Sequence, residues 1–485
     1  MKLGELLTGM PVTTIRGGLS QGQEITGITK DSREVREGAM FFATGSSTSF
    51  LQDALSRKAS VIVSEGPLPG DIPCLVVTED VRLLLARVAA RFYGFPSRRI
   101  NVTGITGTNG KTTVSYLIES IVRASGAQSG VIGTISYRYG QHVQKGANTT
   151  PESVDIQSLL AAMSAGDVGY AVMEVSSHAL DQGRVEGVDF DCAIFTNLTH
   201  DHLDYHGDFE HYRQAKALLF HHCLRESTKE KKCAILNIDD PYARSLVPGP
   251  PITTLTYSSR GAADAYPTAL HESIDGLDLE LSVKGRSVRV ATPLVGLFNV
   301  SNILAAALFG HGAGMPADVI GAGLSSLEGV PGRLERVATD KGFYVFVDYA
   351  HTPDALEKTM ETLNRVRQGR LIVVFGCGGD RDRTKRPLMG RIASGLADFT
   401  FVTSDNPRTE DPLSIIGEIK PGIAGCAFKV IEDRRAAIAG AIAMAKDKDV
   451  VLVAGKGHED YQIIGKSAYP FSDRQVIEEC VRVAG

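Results

Sequence analysis

The sequence predicts an α/β protein of three domains, each organised around a mainly parallel sheet. At 485 residues the chain is too long for a single hydrophobic core, so roughly two to four domains are expected. Short apolar runs recur along the chain and alternate with helical patterns, as in parallel α/β sheets. We therefore expect an N-terminal domain over residues 1–98, a central domain over 99–331 and a C-terminal domain over 332–485.

Composition and charge narrow the class of protein. The formal net charge is −5 and no basic tail appears, which argues against a protein that coats nucleic acid. The seven cysteines are scattered without a C-x-x-C pair, which favours reduced thiols over a disulfide frame or a zinc knuckle. Residues 1–18 resemble a short amphipathic helix more than a signal peptide, and no run approaches the ~18 apolar residues of a membrane helix. We expect a cytoplasmic protein without membrane insertion.

The N-terminal domain shows strand and helix patterns but no nucleotide loop. Strands are expected at VIVSE (61–65) and CLVVTE (74–79), and a helix at residues 80–94. The polar turns DSR (31–33) and GSSTS (45–49) could hold a ligand, although plain loops of this composition are commoner.

The central domain opens on a glycine-rich stretch, INVTGITGTNGKTT (100–113). Strand, glycine loop and helix in this order are typical of a phosphate-binding loop. The glycines let backbone N–H groups crowd around phosphate oxygens, Lys111 adds a positive charge, and Thr112 would hold Mg²⁺. The first glycine of the usual G-x-x-x-x-G-K-[ST] spacing falls on Ile105, and a tight turn without a ligand could share the pattern. The motif indicates a nucleotide but not its use.

Acidic and histidine residues follow the next strand patterns. Glu174 lies within the run YAVMEVSS (170–177), and six of the twelve histidines lie between 200 and 222. Imidazole is a common ligand of transition metals, but neither H-E-x-x-H nor a cysteine pair supports zinc. Glu174, Asp201 and Asp204 beside a phosphate loop favour Mg²⁺, with one or two of the histidines as further ligands.

Lys216, in YRQAKALLF, lies on an otherwise apolar helical face. Such a lysine commonly extends its amine to solvent or forms a salt bridge. Alternatively, burial would favour a neutral amine that can react. The spacing leaves both interpretations open.

The C-terminal domain has four legible strands, YVFVDYAH, LIVVFGCGGDRD, FTFVTSDNPR and VVLVAGKGHED. Each apolar run ends abruptly in glycine and charged residues, and ligands of open parallel sheets bind beyond those ends. The pattern predicts a Rossmann-like sheet with a second small-molecule site. Asn299 and Asn302 could bond a base, and Arg333, Asp348 and His351 lie near turns and strand ends, where structural roles are equally compatible.

Taken in order, these motifs resemble those of the Mur ligase family, the ATP-dependent enzymes that add amino acids in peptidoglycan synthesis. The matching stretches are GTNGKTT, MEVSSHAL, TNLTHDHLDYHG, YRQAKALLF, FNVSNILAA, GVPGRLE, VDYAHTPDAL, FGCGGDRDRTKRP, DNPR and GKGHEDYQ. The resemblance extends from Asp31 nearly to the end of the chain. It implies a ligase of cell wall biogenesis, and hence of cell shape, cell division and the cell cycle. It also implies that the three domains bind UDP, ATP and the added amino acid, respectively.

The resemblance implies an ATP site at the phosphate loop and in later motifs. Its residues would be Gly107, Thr108, Asn109, Gly110, Lys111, Thr112, Thr113, Asn299 and Arg333. The catalytic groups would be Lys111, His202, Lys216, Asp348 and His351. Lys216 matches the family lysine to which CO₂ adds, and the resulting carbamate can bind a metal. The ligands of two Mg²⁺ ions would be Thr112, Glu174, His202 and the Lys216 carbamate.

The resemblance also implies two substrate sites. The pocket for the UDP-muramoyl dipeptide would comprise Lys30, Ser32, Ser46, Ser47, Thr48, Asn148, Thr149, Thr150, Ser176, Gln182 and Arg184. In this chain GSSTSF replaces the family's usual G-x-x-x-D-G-x-x-F, so the match is weaker at residues 46–48. The site for diaminopimelate would comprise Arg381, Asp405, Asn406, Pro407, Arg408, Gly455 and Glu459.

The motif DNPR (405–408) bears on the choice of amino acid. Family members that add meso-diaminopimelate resemble DNPR here, whereas lysine-adding members lack the arginine. Diaminopimelate carries a distal carboxylate that lysine lacks, and a guanidinium can bind it with two parallel charge-assisted hydrogen bonds. Glu459 suits an ammonium.

The implied reaction adds meso-2,6-diaminopimelate to the D-glutamate γ-carboxylate of UDP-N-acetylmuramoyl-L-alanyl-D-glutamate through an acyl phosphate. The partners would be these small molecules and ATP, without nucleic acid, and the protein would act as a monomer. One alternative is the lysine-adding ligase of the same family. Another is a ligase like folylpolyglutamate synthetase, which shares the phosphate loop but lacks DNPR paired with GKGHED. A P-loop NTPase acting as a switch would hydrolyse ATP without the dipeptide.

Overall fold

Three large sheets carry the fold in a computed structural model that describes residues 1–17, 22–68, 72–199, 203–425 and 427–483. Contacts divide the chain into two compact units. The first comprises Met1–Tyr266, Val283–Arg286 and Ser301–Gly323, and the second comprises Pro267–Ser282, Ser287–Val300 and Leu324–Gly485. The predicted α/β class with three domains is confirmed, while the boundaries after residues 98 and 331 stay predictions.

The N-terminal sheet lies in the first unit. Its strands are β1 (Thr14–Gly17), β2 (Gly27–Thr29), β3 (Ala39–Phe42), β4 (Val61–Ser64) and β5 (Cys74–Val77). The helices are α1 (Leu3–Leu7), α2 (Leu51–Ser56) and α3 (Val81–Phe92). The strand order is β1-β5-β4-β3-β2, with β1 antiparallel to β5 and the other neighbours parallel.

Helix α3 begins where Asp80 caps it and packs its apolar face into the N-terminal core. The Asp80 carboxylate accepts a hydrogen bond from Leu83 N at 2.9 Å, which satisfies one of the first unpaired amides of the helix. Near its other end, Arg91 donates to the carbonyls of Glu5, Leu6 and Thr8. These carbonyls lie at the C-terminal end of α1, where the last carbonyls of a helix have no N–H donor within the helix. One side chain therefore fastens α1 to α3.

The central sheet continues the first unit. Its strands are β6 (Asn101–Thr106), β7 (Ser129–Ile132), β8 (Ser136–Tyr139), β9 (His142–Lys145), β10 (Tyr170–Glu174), β11 (Cys192–Phe195), β12 (Cys233–Asn237) and β13 (Thr253–Tyr257). Its helices are α4 (Lys111–Ala124), α5 (Ser153–Ala165), α6 (Ser177–Asp181), α7 (Leu203–His206), α8 (Phe209–Leu218) and α9 (Leu224–Glu226), with a π-helical turn at Leu219–Cys223.

The order of these strands is β13-β12-β11-β6-β10-β7-β8-β9. All neighbours from β13 to β7 are parallel, and β8 and β9 add an antiparallel edge. Strand β6 lies in the middle, between β11 and β10, and is buried after its first residue. The glycine-rich stretch that follows β6 is thus placed at the carboxyl edge of a parallel sheet, where ligands bind.

Three neighbouring strands follow, β14 (Ala265–Ser273), β15 (Gly276–Val283) and β16 (Arg286–Thr292). Two-residue connections join them, as in hairpins, and interrupt the alternation of strands and helices. Helices α10 (Phe298–Gly312) and α11 (Ala317–Ser325) follow.

The C-terminal sheet lies in the second unit. Its strands are β17 (Glu335–Val337), β18 (Tyr344–Asp348), β19 (Leu371–Phe375), β20 (Phe399–Val402), β21 (Ala427–Val430) and β22 (Val450–Ala454), followed by a hairpin of β23 (Tyr461–Ile464) and β24 (Ser467–Pro470). The helices are α12 (Pro353–Val366), α13 (Lys385–Leu396), α14 (Pro412–Ile419), α15 (Arg434–Met444) and α16 (Asp473–Val483). The order is β17-β18-β22-β19-β20-β21, parallel except for β17. The four strands predicted from sequence are β18, β19, β20 and β22.

No helix in the described ranges is long and apolar enough to cross a bilayer.

A buried ion pair joins α15 to α16 and generates a stability prediction. Arg434 and Asp473 are both fully buried, and Nε and Nη2 of Arg434 donate to the carboxylate at 2.7 Å each. The substitution Asp473→Ala leaves the buried guanidinium uncompensated, so we expect urea unfolding to show a loss of about 3–5 kcal/mol.

The matched control breaks the half-exposed pair of Arg435 and Glu479, which joins the same two helices. Glu479→Ala should cost far less than Asp473→Ala, because solvent screens exposed pairs. Equal losses in the two variants would contradict this account of α15 and α16.

Candidate active site

The loop between β6 and α4 has a backbone that requires glycine at two positions. Gly107 and Gly110 have φ angles of +146° and +89°. A Cβ atom at Gly107 would lie 1.9 Å from Thr196 Oγ1, and one at Gly110 would lie 2.4 Å from Asn302 Oδ1. Ile105, where the usual spacing places a glycine, is instead a fully buried residue of β6. The off-register glycines therefore reflect a strand that continues to Thr106 before the loop begins.

The end of β11 holds this loop in place. Asn109 N donates to Asn197 Oδ1 at 3.0 Å, and Asn109 O accepts from Thr196 Oγ1 at 2.6 Å. Thr108 N donates to Asn197 O at 2.8 Å. The loop is thus shaped by the protein itself, before any ligand binds.

Two lysine amines meet at the carbonyl oxygen of Gly107. Lys111 Nζ donates to it at 2.8 Å and to Thr108 O at 3.0 Å. Lys216 Nζ donates to the same Gly107 O at 3.0 Å. Lys216 is only 1% exposed, so its amine does not extend to solvent, and the salt-bridge and reactive-amine interpretations of its sequence position stay predictions.

Tyr212 supports both the loop and Lys216, and sequence reasoning missed it. Its side chain is fully buried, and its hydroxyl lies 3.0 Å from Thr108 Oγ1. Its ring centroid lies 4.6 Å from Lys216 Nζ, within the range of a cation–π interaction. The spacing of Tyr212 and Lys216, one turn of α8 apart, could have indicated that they share a face.

Glu174, at the end of β10, forms a second centre beside the loop. Its carboxylate accepts hydrogen bonds from Thr112 Oγ1 at 2.8 Å, from Thr134 Oγ1 at 2.9 Å and from Thr134 N at 3.0 Å. Glu174 is 1% exposed, and these three donors are neutral. A buried carboxylate beside a hydroxyl presents the oxygen ligands that Mg²⁺ prefers. Thr113, the last residue of the predicted loop, is buried in the first turn of α4.

The expected histidine ligand cannot be placed. His202 and Asp201 lie outside the described residues, as does the side chain of Asp204. Among the described histidines of this stretch, His206 lies 3.0 Å from Ser177 Oγ and His222 lies 2.8 Å from Glu186. In the described part of the chain, no group of three or more His, Cys, Asp and Glu side chains could by itself hold a metal.

The residues expected to bind the muramoyl dipeptide converge beyond β10. Thr150 Oγ1 donates to Glu174 O at 2.7 Å and accepts from Ser176 N at 3.0 Å. Arg184 donates to Thr150 O at 3.0 Å and to Gln182 Oε1 at 2.6 Å. The neighbouring Thr149 Oγ1 lies 3.1 Å from Thr134 Oγ1. The Tyr137 hydroxyl donates to Asn148 O at 2.7 Å.

A pocket connects this group to the N-terminal domain. It is lined by Lys30, Thr44, Arg82, Leu85, Glu152, Ser153, Gln182 and Arg184. Lys30 Nζ lies 2.9 Å from Glu152, and Glu152 lies 3.5 Å from Arg184, so opposite charges alternate along the wall. Sequence reasoning found Lys30, Gln182 and Arg184 but missed Arg82 and Glu152.

The other N-terminal candidates are less defined. Ser32 is buried and its hydroxyl bonds Asp53, which lowers the pKa of that carboxyl. Ser46, Ser47 and Thr48 lie in a 3₁₀ helix, Gly45–Phe50, and their side chains are outside the described part of the structure.

In the second unit, three of the expected ATP-site and catalytic residues surround Tyr349. The Arg333 guanidinium lies 5.2 Å from the Tyr349 ring centroid, and His351 Nδ1 lies 2.8 Å from Tyr349 O. Asp348 accepts from Leu334 N at 2.7 Å and from Ala350 N at 2.9 Å. Burial raises the pKa of Asp348, against the lowering effect of these amides. Asn299 is buried at the start of α10, where its amide donates to Val295 O at 2.9 Å.

The DNPR segment follows β20 and is fixed by buried polar contacts. Lys456, fully buried, donates to Asn406 Oδ1 and to Glu459 Oε2, both at 3.1 Å, and lies 3.8 Å from Asp405. Asn406 Nδ2 also donates to Glu459 at 2.9 Å. Gly455, with φ +115°, leaves room for Asp405, because a Cβ there would lie 2.5 Å from Asp405 Oδ2. The predicted residues Asp405, Asn406, Gly455 and Glu459 are therefore brought together by Lys456, which was not predicted.

Arg408 is held in a left-handed backbone conformation, with φ +52°. Such a conformation is uncommon for residues other than glycine and is found preferentially at functional sites. The hairpin β23–β24 fixes it, since Arg408 N donates to Ile463 O and Gly465 N donates to Arg408 O. The Arg408 guanidinium donates to Gly379 O at 2.8 Å.

The position of Gly378 shows that two predicted arginines are near each other. A Cβ atom there would lie 2.9 Å from Arg408 Nη1 and 3.8 Å from Arg381 Cγ. The carbonyl of Pro407 leaves no room for a Cβ at Gly379, at 1.9 Å. The Gly378-Gly379 turn thus lets the DNPR backbone approach and brings the Arg408 guanidinium near the stem of the Arg381 side chain.

Two protein-family models match this chain. The family model described as the Mur ligase middle domain matches residues 105–310, and the one described as the Mur ligase, glutamate ligase domain matches residues 332–457. A UDP-N-acetylmuramoyl-L-alanyl-D-glutamate–2,6-diaminopimelate ligase of Geobacillus kaustophilus is 43% identical, with all of both chains covered. The chain belongs to the Mur ligase family. A ligase of the same name from Bacillus velezensis is 44% identical over 98% of each chain.

Solved structures agree with this assignment. A structure of a UDP-N-acetylmuramoyl-L-alanyl-D-glutamate–2,6-diaminopimelate ligase has a TM-score of 0.72 and 34% identity, covering 100% of this chain and 99% of that one. A folylpolyglutamate synthase of Mycobacterium tuberculosis with ADP has a TM-score of 0.61 and 19% identity over 77% of this chain and 91% of its own, and shares the fold alone.

In this Mur ligase, a buried arginine behind the DNPR segment was also missed by sequence reasoning. Arg386 is fully buried and donates to Glu410 at 2.8 and 2.9 Å and to Glu418 at 2.9 Å. Glu410 in turn accepts from Asp380 N at 2.6 Å. Through Glu410, Arg386 thereby fixes the position of the Gly379–Arg381 turn. A charged residue inside TKRP gave no periodicity signal, because its burial depends on two later segments.

This network predicts a pH dependence at Glu410. The hydrogen bond from Arg386 lowers the pKa of Glu410 from 4.5 to about 2. A carboxyl with a lowered folded-state pKa contributes its full stabilisation above the unfolded value and loses it as the pH falls through the folded value. Glu410→Gln should therefore flatten the decline in the free energy of unfolding between pH 4.5 and pH 2.

Urea unfolding at stepped pH measures this slope. Glu361→Gln, at an exposed position of α12, is the matched control and should keep the wild-type slope. A Glu410→Gln variant with the wild-type slope would show that the Arg386 bond does not stabilise the ionised carboxyl.

Proposed function

We propose that this Mur ligase adds meso-2,6-diaminopimelate to the D-glutamate γ-carboxylate of UDP-N-acetylmuramoyl-L-alanyl-D-glutamate, with cleavage of ATP. The observation that carries the proposal is the DNPR segment, whose Arg408 and neighbouring Arg381 offer guanidinium groups to a distal carboxylate. The names of full-length relatives at 42–44% identity support it.

In this proposal, the phosphate loop binds ATP and activates the acceptor. Backbone amides of residues 107–113 and the Lys111 ammonium would surround the γ-phosphate, and Lys111 would exchange its loop carbonyls for phosphate oxygens. The D-glutamyl carboxylate attacks the γ-phosphate and forms an acyl phosphate, and catalysis consists mainly of alignment and charge neutralisation. Asn299, Arg333, Asp348 and His351 complete the proposed ATP and catalytic residues.

Thr112 and Glu174 are the proposed ligands of Mg²⁺, with His202 and a carbamate of Lys216 at a second ion. The fit rests on Glu174, a buried carboxylate whose three hydrogen-bond donors, Thr112 Oγ1, Thr134 Oγ1 and Thr134 N, are neutral. Magnesium bound there would offset the negative charge that develops on the transferred phosphoryl group.

The carbamate of Lys216 is supported by the position of its amine at Gly107 O. Lys216 is buried and shares this carbonyl oxygen with Lys111, the residue proposed to bind the γ-phosphate. Loss of one proton from the Lys216 ammonium gives the neutral amine, and addition of CO₂ with loss of a second proton gives the carbamate, so that a cation is replaced by an anion. The carbamate nitrogen keeps one N–H, so its bond to Gly107 O can persist.

The two remaining substrates have proposed sites of different chemistry. The proposed dipeptide site comprises Asn148, Thr149, Thr150, Ser176, Gln182 and Arg184, and Lys30, Ser32 and residues 46–48 are proposed to bind the nucleotide-sugar. The diaminopimelate site comprises Arg381, Asp405, Asn406, Pro407, Arg408, Gly455 and Glu459, with Glu459 facing an ammonium. The amine of diaminopimelate then attacks the acyl phosphate and phosphate leaves, so that no side-chain nucleophile is needed. We place this reaction in the cytoplasm, carried out by a monomer.

Phosphate release tests the proposal against its rivals. With ATP and Mg²⁺, release should require both the muramoyl dipeptide and meso-diaminopimelate, and L-lysine should not replace the latter. Equal release with lysine would identify the lysine-adding ligase, and release without the dipeptide would identify a nucleotide switch. Dependence on a folate instead of the dipeptide would identify a folylpolyglutamate synthetase-like enzyme.

The same assay tests Arg408. Arg408→Ala should raise KM for diaminopimelate by about 10- to 100-fold with little change in KM for ATP, because charged hydrogen bonds to the distal carboxylate are lost. Arg408→Lys should have a KM for diaminopimelate between those of the wild type and Arg408→Ala, since lysine keeps the charge but not the paired hydrogen bonds. Arg391→Ala, an exposed arginine of α13, is the matched control and should behave as wild type. An unchanged KM in Arg408→Ala would remove the observation on which the substrate assignment rests.

A further inference from the structure

Two cysteines lie opposite each other on neighbouring strands of the central sheet. Strands β11 and β12 are parallel, and their register pairs Cys192 with Cys233. Directly paired residues on adjacent strands point to the same face, and the strands lie about 4.8 Å apart. A disulfide commonly spans Cα atoms about 4.4–6.8 Å apart, so this pair can be joined within the existing register.

The two thiols differ in access to solvent. Cys192 is 7% exposed, whereas Cys233, at the start of β12, is partly exposed. The following pairs of the same register include Ala193 with Ala234, which belong to the core on the other face of the sheet. An oxidant would therefore reach Cys233 first, with Cys192 buried directly beside it.

The thiols are also chemically unequal. A hydrogen bond between them lowers the pKa of Cys233 and raises that of Cys192, so Cys233 loses its proton more readily than Cys192. Burial raises the pKa of Cys74 and Cys480, and raises those of Cys223 and Cys377 to about 12. Among the six cysteines in the described ranges, Cys233 alone combines partial exposure with a lowered pKa. Thiolate character and exposure are what make a cysteine reactive toward peroxides.

We propose that Cys192 and Cys233 form a peroxide-reactive dithiol, in which Cys233 is oxidised first and Cys192 closes a reversible disulfide between β11 and β12. The Cys233 thiolate attacks hydrogen peroxide, the O–O bond breaks, and a sulfenic acid and hydroxide form. The Cys192 sulfur then attacks the sulfenic sulfur, the S–O bond breaks, and water leaves with the Cys192 proton. In total, two thiols and one peroxide give one disulfide and two waters.

The adjacent thiol gives this site a consequence that an isolated cysteine lacks. A sulfenic acid without a partner can be oxidised irreversibly to the sulfinic acid, whereas a disulfide is restored by a dithiol reductant. The cross-link would join β11 and β12 at their amino ends. At their carboxyl ends, the same strands support the phosphate loop, where Asn237 donates to Thr196 O at 2.7 Å and Thr196 donates to Asn109 O.

The experiment uses the full-length reduced protein, freed of reductant and treated with hydrogen peroxide. After thiol alkylation under denaturing conditions and proteolysis, mass spectrometry should find one cross-linked peptide pair that contains Cys192 and Cys233. The pair should be about 2 Da lighter than the two reduced peptides and should separate on treatment with dithiothreitol. Recovery of both cysteines in alkylated form while other thiols are oxidised would overturn the proposal, as would a sulfinic acid at Cys233 in the wild type.

Variants test the order of the two steps. Cys192→Ser, which keeps a hydrogen-bond donor beside Cys233 but cannot form a disulfide, should trap the sulfenic acid, seen as a dimedone adduct at Cys233, and Cys233→Ala should leave Cys192 reduced. Cys74→Ala, at another buried cysteine of the first unit, is the matched control and should form the cross-link as wild type does. A dimedone adduct on Cys192 in the Cys233→Ala variant would overturn the assigned order, and the wild-type peptide map remains decisive if either variant fails to fold.

Discussion

The carbonyl oxygen of Gly107 accepts hydrogen bonds from Lys111 and Lys216, and the rest of the active site depends on this shared contact. The contact exists because Gly107 adopts a φ angle of +146°, which only glycine tolerates easily. It persists because Thr196 and Asn197, at the end of β11, hold the next residues of the loop. In a buried place, ammonium groups are stabilised by nearby anions. In the proposed reaction, phosphate oxygens and a carbamate of Lys216 would be such anions.

In the second unit, buried cations fix the segments around DNPR. Arg386 binds Glu410 and Glu418, and Lys456 binds Asn406 and Glu459. Each cation is fully buried and connects segments that are distant in the chain. Buried pairs contribute less to stability than their geometry suggests, because desolvation opposes them. In this domain the buried pairs serve mainly to position two segments, since they hold the DNPR segment and the Gly378-Gly379 turn against each other.

Much of the fold follows from local sequence, and much of the site does not. The strands β18, β19, β20 and β22 were predictable because their apolar runs end abruptly at glycine and charged residues. The phosphate loop was predictable because strand, glycine loop and helix follow each other within a few residues. Lys216 was ambiguous, since helical spacing gives a face but not the depth at which that face is buried.

The residues that sequence reasoning missed are those whose role is tertiary. Thr134 bonds Glu174 from a turn 40 residues earlier, and Arg386 meets Glu410 across 24 residues. Neither position carries a periodic or motif signal on its own. Tyr212 is the exception, because its spacing to Lys216 on α8 was visible and a shared face could have been inferred. The resemblance to a family supplied roles for individual residues, whereas the structure supplied the contacts through which they are held.

The central proposal, that Lys216 carries a carbamate beside Gly107 O, can be tested directly. The protein is equilibrated with ¹³C-bicarbonate, ATP and Mg²⁺, and its ¹³C spectrum is recorded for a carbamate carbon. We expect one carbamate resonance that is absent in Lys216→Arg and retained in Lys111→Arg, the lysine on the same carbonyl oxygen. A spectrum without that resonance, or a resonance that survives Lys216→Arg, would contradict the account.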